Sequence, residues 1–216
     1  MNRADAKILW DAACVLARDA GKVSRDGDRA PRDLPPLLFF TDPDQTPRPW
    51  ETAARLPAGA GVVFRSFGRV DAHETALRLR EATRGRGVLL LIGLDAALAE
   101  AVGADGVHLP ERALDQATAL AAARPDWRIT GAAHSRAALG ASGLDALVVS
   151  PVFPTRGPSA GRAHLGVVGF SELVRAAPCP VYALGGIGSG NARTLIGSGA
   201  CGLAGVSAIQ AAFGPA

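Results

Sequence analysis

Val181-Tyr-Ala-Leu-Gly-Gly-Ile-Gly-Ser-Gly-Asn-Ala-Arg-Thr-Leu-Ile-Gly-Ser-Gly-Ala-Cys-Gly-Leu-Ala-Gly-Val-Ser-Ala-Ile209 decides the fold. The stretch holds one pattern twice: a short apolar run, Val181 to Leu184 and then Gly202 to Val206, ends in residues with little or no side chain, and a helix-compatible segment follows. Gly185, Gly186, Gly188 and Gly190 permit positive φ and let an anion approach the backbone, while Asn191 and Ser207 are candidate caps for the helices expected next. Backbone N–H groups at such helix starts form a phosphate site. Two consecutive units of this kind match the phosphate-binding loops that follow strands 7 and 8 of a (β/α)₈ barrel. The same glycines also suit close strand-to-helix packing, and that reading stays open beside the functional one.

Upstream, the same unit recurs. Eight apolar runs are each followed by a helix-compatible stretch: Leu37 to Phe40, Gly61 to Arg65, Val88 to Ile92, Gly106 to Leu109, Arg128 to Ala132, Ala146 to Ser150, Val181 to Leu184 and Gly202 to Val206. They are continuously hydrophobic rather than alternating, as strands buried on both faces of a parallel sheet should be. Between them, His73 to Thr83, Ala96 to Val102, Ala113 to Ala123 and Ser171 to Ala177 are long enough for crossover helices. The fold class expected is an α/β (β/α)₈ TIM barrel over residues 37–216, preceded in 1–36 by an amphipathic helix (residues 4 to 20) and a polar, Pro-containing strap. A doubly wound sheet is the alternative; the count of eight runs and the paired terminal loops argue against it.

Composition agrees with one globular domain: 216 residues, 48% hydrophobic, 20% charged. The net charge of +3 is spread along the chain; a basic rim suits a phosphorylated substrate, but without basic runs or interleaved aromatics a nucleic-acid partner is not expected. Cys14, Cys179 and Cys201 show no C-x-x-C spacing and read as reduced, buried thiols of a cytoplasmic protein. No apolar run approaches a membrane span, and Met1 to Gly21 mixes charge into its apolar positions, unlike a secretory signal.

In a barrel the chemistry sits at the C-terminal strand ends. His134 projects there after strand 5, where an imidazole can take and return a proton; capping of the next segment is the plainer reading. His108, inside the strand 4 run, reads as a hydrogen-bonded structural histidine. Arg65 ends strand 2 and can clamp a phosphate or make a surface ion pair. Arg156 and Arg162 lie in a Gly/Pro/Ser-containing loop, Pro154 to Gly166, that suits a lid, and Asp42 before Pro43 suits a turn. A metal site is not expected: Asp95 and Glu111 are the carboxylates after strands 3 and 4, and they do not make a converging set.

Phe39-Phe-Thr-Asp42, Ala101-Val-Gly-Ala-Asp-Gly-Val-His-Leu109, Val149-Ser-Pro-Val-Phe-Pro-Thr155, Ala183-Leu-Gly-Gly-Ile187 and Ala204-Gly-Val-Ser-Ala-Ile209 resemble, in this order, the thiamine phosphate synthase/TenI family. The resemblance implies a (β/α)₈ barrel and one of two activities: joining a pyrimidine pyrophosphate to a thiazole phosphate with Mg²⁺, or tautomerising the thiazole phosphate. It places thiazole-phosphate contacts on Gly186, on Val206 and Ser207, and on Thr155, with Arg65 kept from a strand 2 motif that here reads Val63-Phe-Arg-Ser-Phe67; Gly185 and Ile187 join the expected substrate-binding residues from the backbone reading of the same glycine-rich loop. Several positions depart from the family pattern. Gly93-Leu94 replaces an Asn-Asp pair, Ala113 a second carboxylate, Ala132 a serine, and Thr155-Arg-Gly-Pro158 a Thr-x-Thr-Lys motif, while the histidine at 134 is kept. The expected partner is therefore a small phosphorylated thiazole or pyrimidine, with Mg²⁺ as cofactor only where synthase activity persists, and homo-oligomerisation is left open. A working synthase with rearranged ligands and a non-catalytic phosphate-binding barrel are the alternatives.

Overall fold

The computed structural model describes residues 2–21, 33–155, 161 and 163–215. Eight parallel strands pair in sequence order and close into a barrel: β1 (Leu37–Phe40), β2 (Gly61–Phe64), β3 (Leu89–Gly93), β4 (Gly106–Leu109), β5 (Arg128–Ala133), β6 (Ala146–Val149), β7 (Val181–Leu184) and β8 (Gly202–Gly205). Every expected run is a strand, with ends displaced by one residue at most. Closure sets Leu37 opposite Leu203 and Phe39 opposite Gly205.

The continuous apolar runs split by parity, because successive side chains of a strand point to opposite faces. Leu37, Phe39, Val62, Phe64, Leu90, Ile92, Val107 and Leu109 join the helices in one cluster. Leu38, Phe40, Val63, Leu91, Val148, Tyr182 and Ala204 form a second cluster that fills the barrel. The Tyr182 hydroxyl, fully buried, donates to the Pro35 carbonyl at 2.6 Å, so the segment leading into β1 is tied to the barrel interior.

The helices are α1 (Arg3–Ala20), α2 (Pro49–Ala53), α3 (Ala72–Thr83), α4 (Ala96–Val102), α5 (Ala117–Ala123), α6 (Gly166–Ala176) and α7 (Ser207–Phe213). Two expected crossover helices are absent. After β5 and β7 the chain makes only 3₁₀ turns, Ala137–Gly140 and Ala192–Leu195, because Gly140, Gly143, Gly197 and Gly199 interrupt segments too short to propagate an α-helix. The Ala113 to Ala123 helix likewise begins as a 3₁₀ turn, Glu111–Gln116, before α5. On the β8 side, α1 fills the outer layer: it packs against β8, α7 and the 192–195 turn through buried Leu9, Ala12, Ala13 and Leu16. Each leucine contributes roughly 2 kcal/mol of apolar burial. Cys179 and Cys201 are buried, as expected, but Cys14 on α1 is only partly so. No helix among the described residues is long and apolar enough to cross a membrane.

Two aspartates set the strand stagger. Asp105 and Asp145, each one residue before a strand, accept from the N–H of Leu90 at 2.7 Å and of Ile129 at 2.7 Å on the preceding strands, and Arg80 holds Asp105 at 2.8 Å. His108 and Thr130 add polar groups to the barrel filling. The His108 Nδ1 lies 2.9 Å from Thr130 Oγ1, and its ring meets Phe40 edge-on at 4.9 Å. Burial, with the charges of Arg65 and His134, pushes the pKa of His108 down to about 3.

Because that pKa lies below the ordinary value of 6.5, the unfolded chain takes up a proton first and stability falls as pH drops from about 6.5 toward 3. One such group contributes a slope of up to ~1.4 kcal/mol per pH unit in that window. A His108→Asn variant, compared with the parent by urea unfolding between pH 8 and 4, should show a shallower acid loss; parallel curves would contradict this.

Candidate active site at the barrel mouth

The C-terminal strand ends bring most of the expected residues to one face. After β1, Thr41 accepts twice from Arg65: its Oγ1 from the backbone N–H at 2.9 Å and its carbonyl from Nε at 2.8 Å. The guanidinium carbon lies 5.4 Å from the Phe40 ring and 5.2 Å from that of Phe67, and one terminal nitrogen is 3.8 Å from Asp42. Burial lowers the pKa of Arg65 and Asp42 opposes the shift, but a guanidinium remains charged. Arg65 is thus a partly buried, pre-oriented cation of the mouth rather than a solvated surface ion pair. Asp42 faces its own loop, accepting from the N–H groups of Asp44 at 3.1 Å and Gln45 at 3.2 Å, as the Asp-Pro sequence implied.

After β3, Gly93 is tightly enclosed: a β-carbon there would lie 3.0 Å from the Phe64 carbonyl and 3.4 Å from the Arg65 side chain. Leu94 follows at φ +65, a left-handed conformation that a bulky residue adopts at a cost, and Asp95 caps α4 by accepting from Leu98 N–H at 2.8 Å.

His134 stands exposed just past β5. Its backbone N–H donates to one carboxylate oxygen of Glu111, and the Ser135 hydroxyl donates to the other at 2.6 Å. Burial alone would raise the Glu111 carboxyl, but the bonds from Ser135 and His134 outweigh it and hold the group below its ordinary value. The His134 ring turns to the end of β6, with Nδ1 3.1 Å from both the carbonyl oxygen and the Oγ of Ser150. Ser135, not His134, faces the N–H of the next turn, at 3.4 Å from Ala138, so the capping reading of His134 does not hold.

The glycine-rich side has a more complex basis than expected. Gly185 and Gly186 take φ of +100 and +67, and a β-carbon would lie 2.8 Å from Pro151 at the first position and 2.4 Å from the Pro154 carbonyl at the second. Their smallness is required by the loop after β6, whose Thr155 methyl would be 3.4 Å from that first β-carbon, so these two glycines answer to loop packing rather than to the strand-to-helix packing expected. Gly188 and Gly190 face open space. The cap assignments are corrected. Asn191 folds back, accepting from Gly188 N–H at 2.9 Å and donating to the Gly186 carbonyl at 2.9 Å, and Ser207 is the first residue of α7 with no side-chain cap bond. The first helical bond of α7 runs from Gln210 to Val206, which leaves the N–H groups of Ser207, Ala208 and Ile209 as the helix's orphan donors. Leu184 pairs with Ala204, so Gly185–Ile187 and Val206–Ser207 emerge side by side.

All eight expected residues, His134, Arg65, Thr155, Gly185, Gly186, Ile187, Val206 and Ser207, therefore follow strand ends at the mouth. Arg156, Pro158 and Arg162 lie outside the described residues. Sequence reasoning missed the Thr41 clamp on Arg65, Glu111 as the anchor of the β5 loop, and Ser150 as the partner of His134. Only strand adjacency, β4 beside β5 beside β6, could have paired residues 23 and 16 positions apart.

A family model described as thiamine monophosphate synthase matches residues 45–209. The thiamine biosynthesis bifunctional protein ThiM/ThiE of Symbiobacterium thermophilum is 41% identical over 147 residues, 66% of this chain and 30% of that protein. The thiamine-phosphate synthase of Chloroflexus aurantiacus is 38% identical over 143 residues, 64% of this chain and 65% of that protein. The chain thus spans less than two thirds of the length of either relative. Among solved structures, the thiamine phosphate pyrophosphorylase from Pyrococcus furiosus superposes with a TM-score of 0.66 at 25% identity, covering 82% of this chain and 91% of that one. Barrel closure, motif order and these matches agree: the chain belongs to the thiamine monophosphate synthase family.

Proposed function

We propose that the protein is a diverged thiamine-biosynthesis enzyme that binds a thiazole phosphate, or a similarly small phosphate, and moves a proton on it through His134. The observation that carries this reading is the pairing of β7 with β8, which sets the N–H groups around Gly186 and Ile187 beside those of Val206 and Ser207. Thr155 borders that cup, and Arg65 offers a fixed cation from the other side of the mouth. Tautomerisation of a thiazole moves a proton between a carbon and a ring position, so it needs one group that both takes and returns a proton, and a phosphate handle that positions the ring. His134 is the exposed histidine that directly follows a strand end among the described residues.

Synthase chemistry asks for Mg²⁺, and the described carboxylates fit it poorly. Asp42 accepts from its loop, Asp95 caps α4 and Glu111 holds the β5 loop, and no three metal-ligating side chains converge among the described residues. Gly93 and Leu94 stand where the family pattern has its Asn-Asp pair. These features support a loss of pyrophosphate handling. The alternative, a working synthase with other ligands, draws on the names of the relatives and on the retained Arg65.

Titration of a thiazole phosphate against the parent and Ser207→Asp tests the cup. The substitution adds like charge at an exposed helix start without the clash that any side chain at Gly186 would cause, so affinity should fall roughly tenfold or more; equal affinities would remove the assignment. For the reaction, turnover of pyrimidine pyrophosphate with thiazole phosphate and Mg²⁺ should be weak or absent, and robust growth rescue of a strain lacking its synthase would favour the alternative. His134→Ala should lower thiazole tautomerisation on the order of 10²–10⁴-fold with phosphate affinity nearly unchanged; intact turnover would leave a non-catalytic binding barrel as the better reading.

A further inference from the structure

His134 and Ser150 sit at the distance of a nucleophile and its base, yet the geometry around the ring nitrogen assigns them different work. Nδ1 is 3.1 Å from Ser150 Oγ and also 3.1 Å from the Ser150 carbonyl oxygen. A hydroxyl can donate or accept, so it is compatible with either form of the ring. A carbonyl oxygen only accepts, and an unprotonated Nδ1 beside it would face lone pair with lone pair. Both contacts are favourable only when Nδ1 carries the proton and the two Ser150 oxygens share it.

We propose that Ser150 is a positioning residue, whose backbone carbonyl fixes neutral His134 as the Nδ1–H tautomer and thereby makes Nε2 the proton-accepting atom at the barrel mouth. This extends the proton-carrier reading above and rests on it for its functional meaning. A histidine's reactive nitrogen is set by what its other nitrogen binds. Ser150 is well placed for this, because its own N–H donates to the Ala133 carbonyl at 3.2 Å and so registers the end of β6 one residue before His134. Glu111 fixes the same loop from the β4 side through the His134 N–H and the Ser135 hydroxyl. With Nδ1 already protonated, the neutral ring cannot take the seryl proton there, so Ser150 is not the nucleophile of a Ser–His pair. The proton taken from a substrate goes to Nε2, the ring becomes imidazolium with both nitrogens protonated, and return of a proton from Nε2 restores the starting tautomer without rotation of the ring.

Long-range ¹H–¹⁵N NMR of histidine-labelled protein, at a pH where the ring is neutral, reads the tautomer without any substrate. The parent should show Nδ1 protonated and Nε2 bare, and Ser150→Ala, which keeps the carbonyl, should show the same. An Nε2–H tautomer in the parent, the mixture of a free imidazole, or a switch to Nε2–H in Ser150→Ala would each overturn the proposal. His134→Asn, whose amide N–H can replace Nδ1–H against the Ser150 carbonyl, should keep the fold and phosphate affinity while tautomerase turnover falls on the order of 10²–10⁴-fold. Absence of turnover in the parent would count against the proton-carrier function alone, since the tautomer spectrum decides the assignment by itself.

Discussion

The parallel pairing of β8 with β1 is the constraint on which the site is built. Leu37 against Leu203 and Phe39 against Gly205 turn an open sheet into a closed one, and closure removes both edges at once. It also forces every strand to bury both faces, which is why the runs are short and uniformly apolar. Once closed, the eight strand ends form a rim on one side, and side chains far apart in sequence acquire fixed neighbours there. Arg65 on Thr41 and His134 on Ser150 are two results of the same register.

The mouth divides into two sides with different physical character. On the β7–β8 side the backbone itself supplies the polarity, and the glycines at 185 and 186 owe their identity to the proline-containing loop that presses on them. The positive-φ turn that accommodates Pro151 and Pro154 follows β7 directly and so lies beside the strand end that leads into α7. On the β1–β4 side the charges are largely balanced within the protein, Arg65 near Asp42 and Glu111 bonded to the β5 loop. That side holds its polar groups by internal contacts, with Leu94 strained and exposed at the rim.

Much of this was legible in the sequence because burial on both faces leaves a plain signature. The eight runs located the eight strands, and strand-end logic placed Arg65, His134, Thr155 and the loops that follow β7 and β8 at one face. Helices were less legible. A segment such as Ala192–Leu195 has the composition of a helix but not the length to nucleate one, and its glycines decide the matter only when the three-dimensional span is known. Side-chain partnerships were not legible at all. Glu111 looked like a stray carboxylate and Asn191 like a cap, because a hydrogen bond between neighbouring strands or across a folded-back loop leaves no periodicity to detect.

The position of α1 has a bearing on how the chain reaches this state. Its apolar face of Leu9, Ala12, Ala13 and Leu16 packs on β8, α7 and the 192–195 turn, so the first helix finds its partners close to two hundred residues later. β8 must also arrive before the barrel can close. Until then an apolar helix face and two open strand edges stay exposed together, and loop closure over almost the whole chain precedes any gain from burying them. The last βα unit therefore acts as the fastener of the fold, and the interval before it docks is when the chain is most open to association with its own kind.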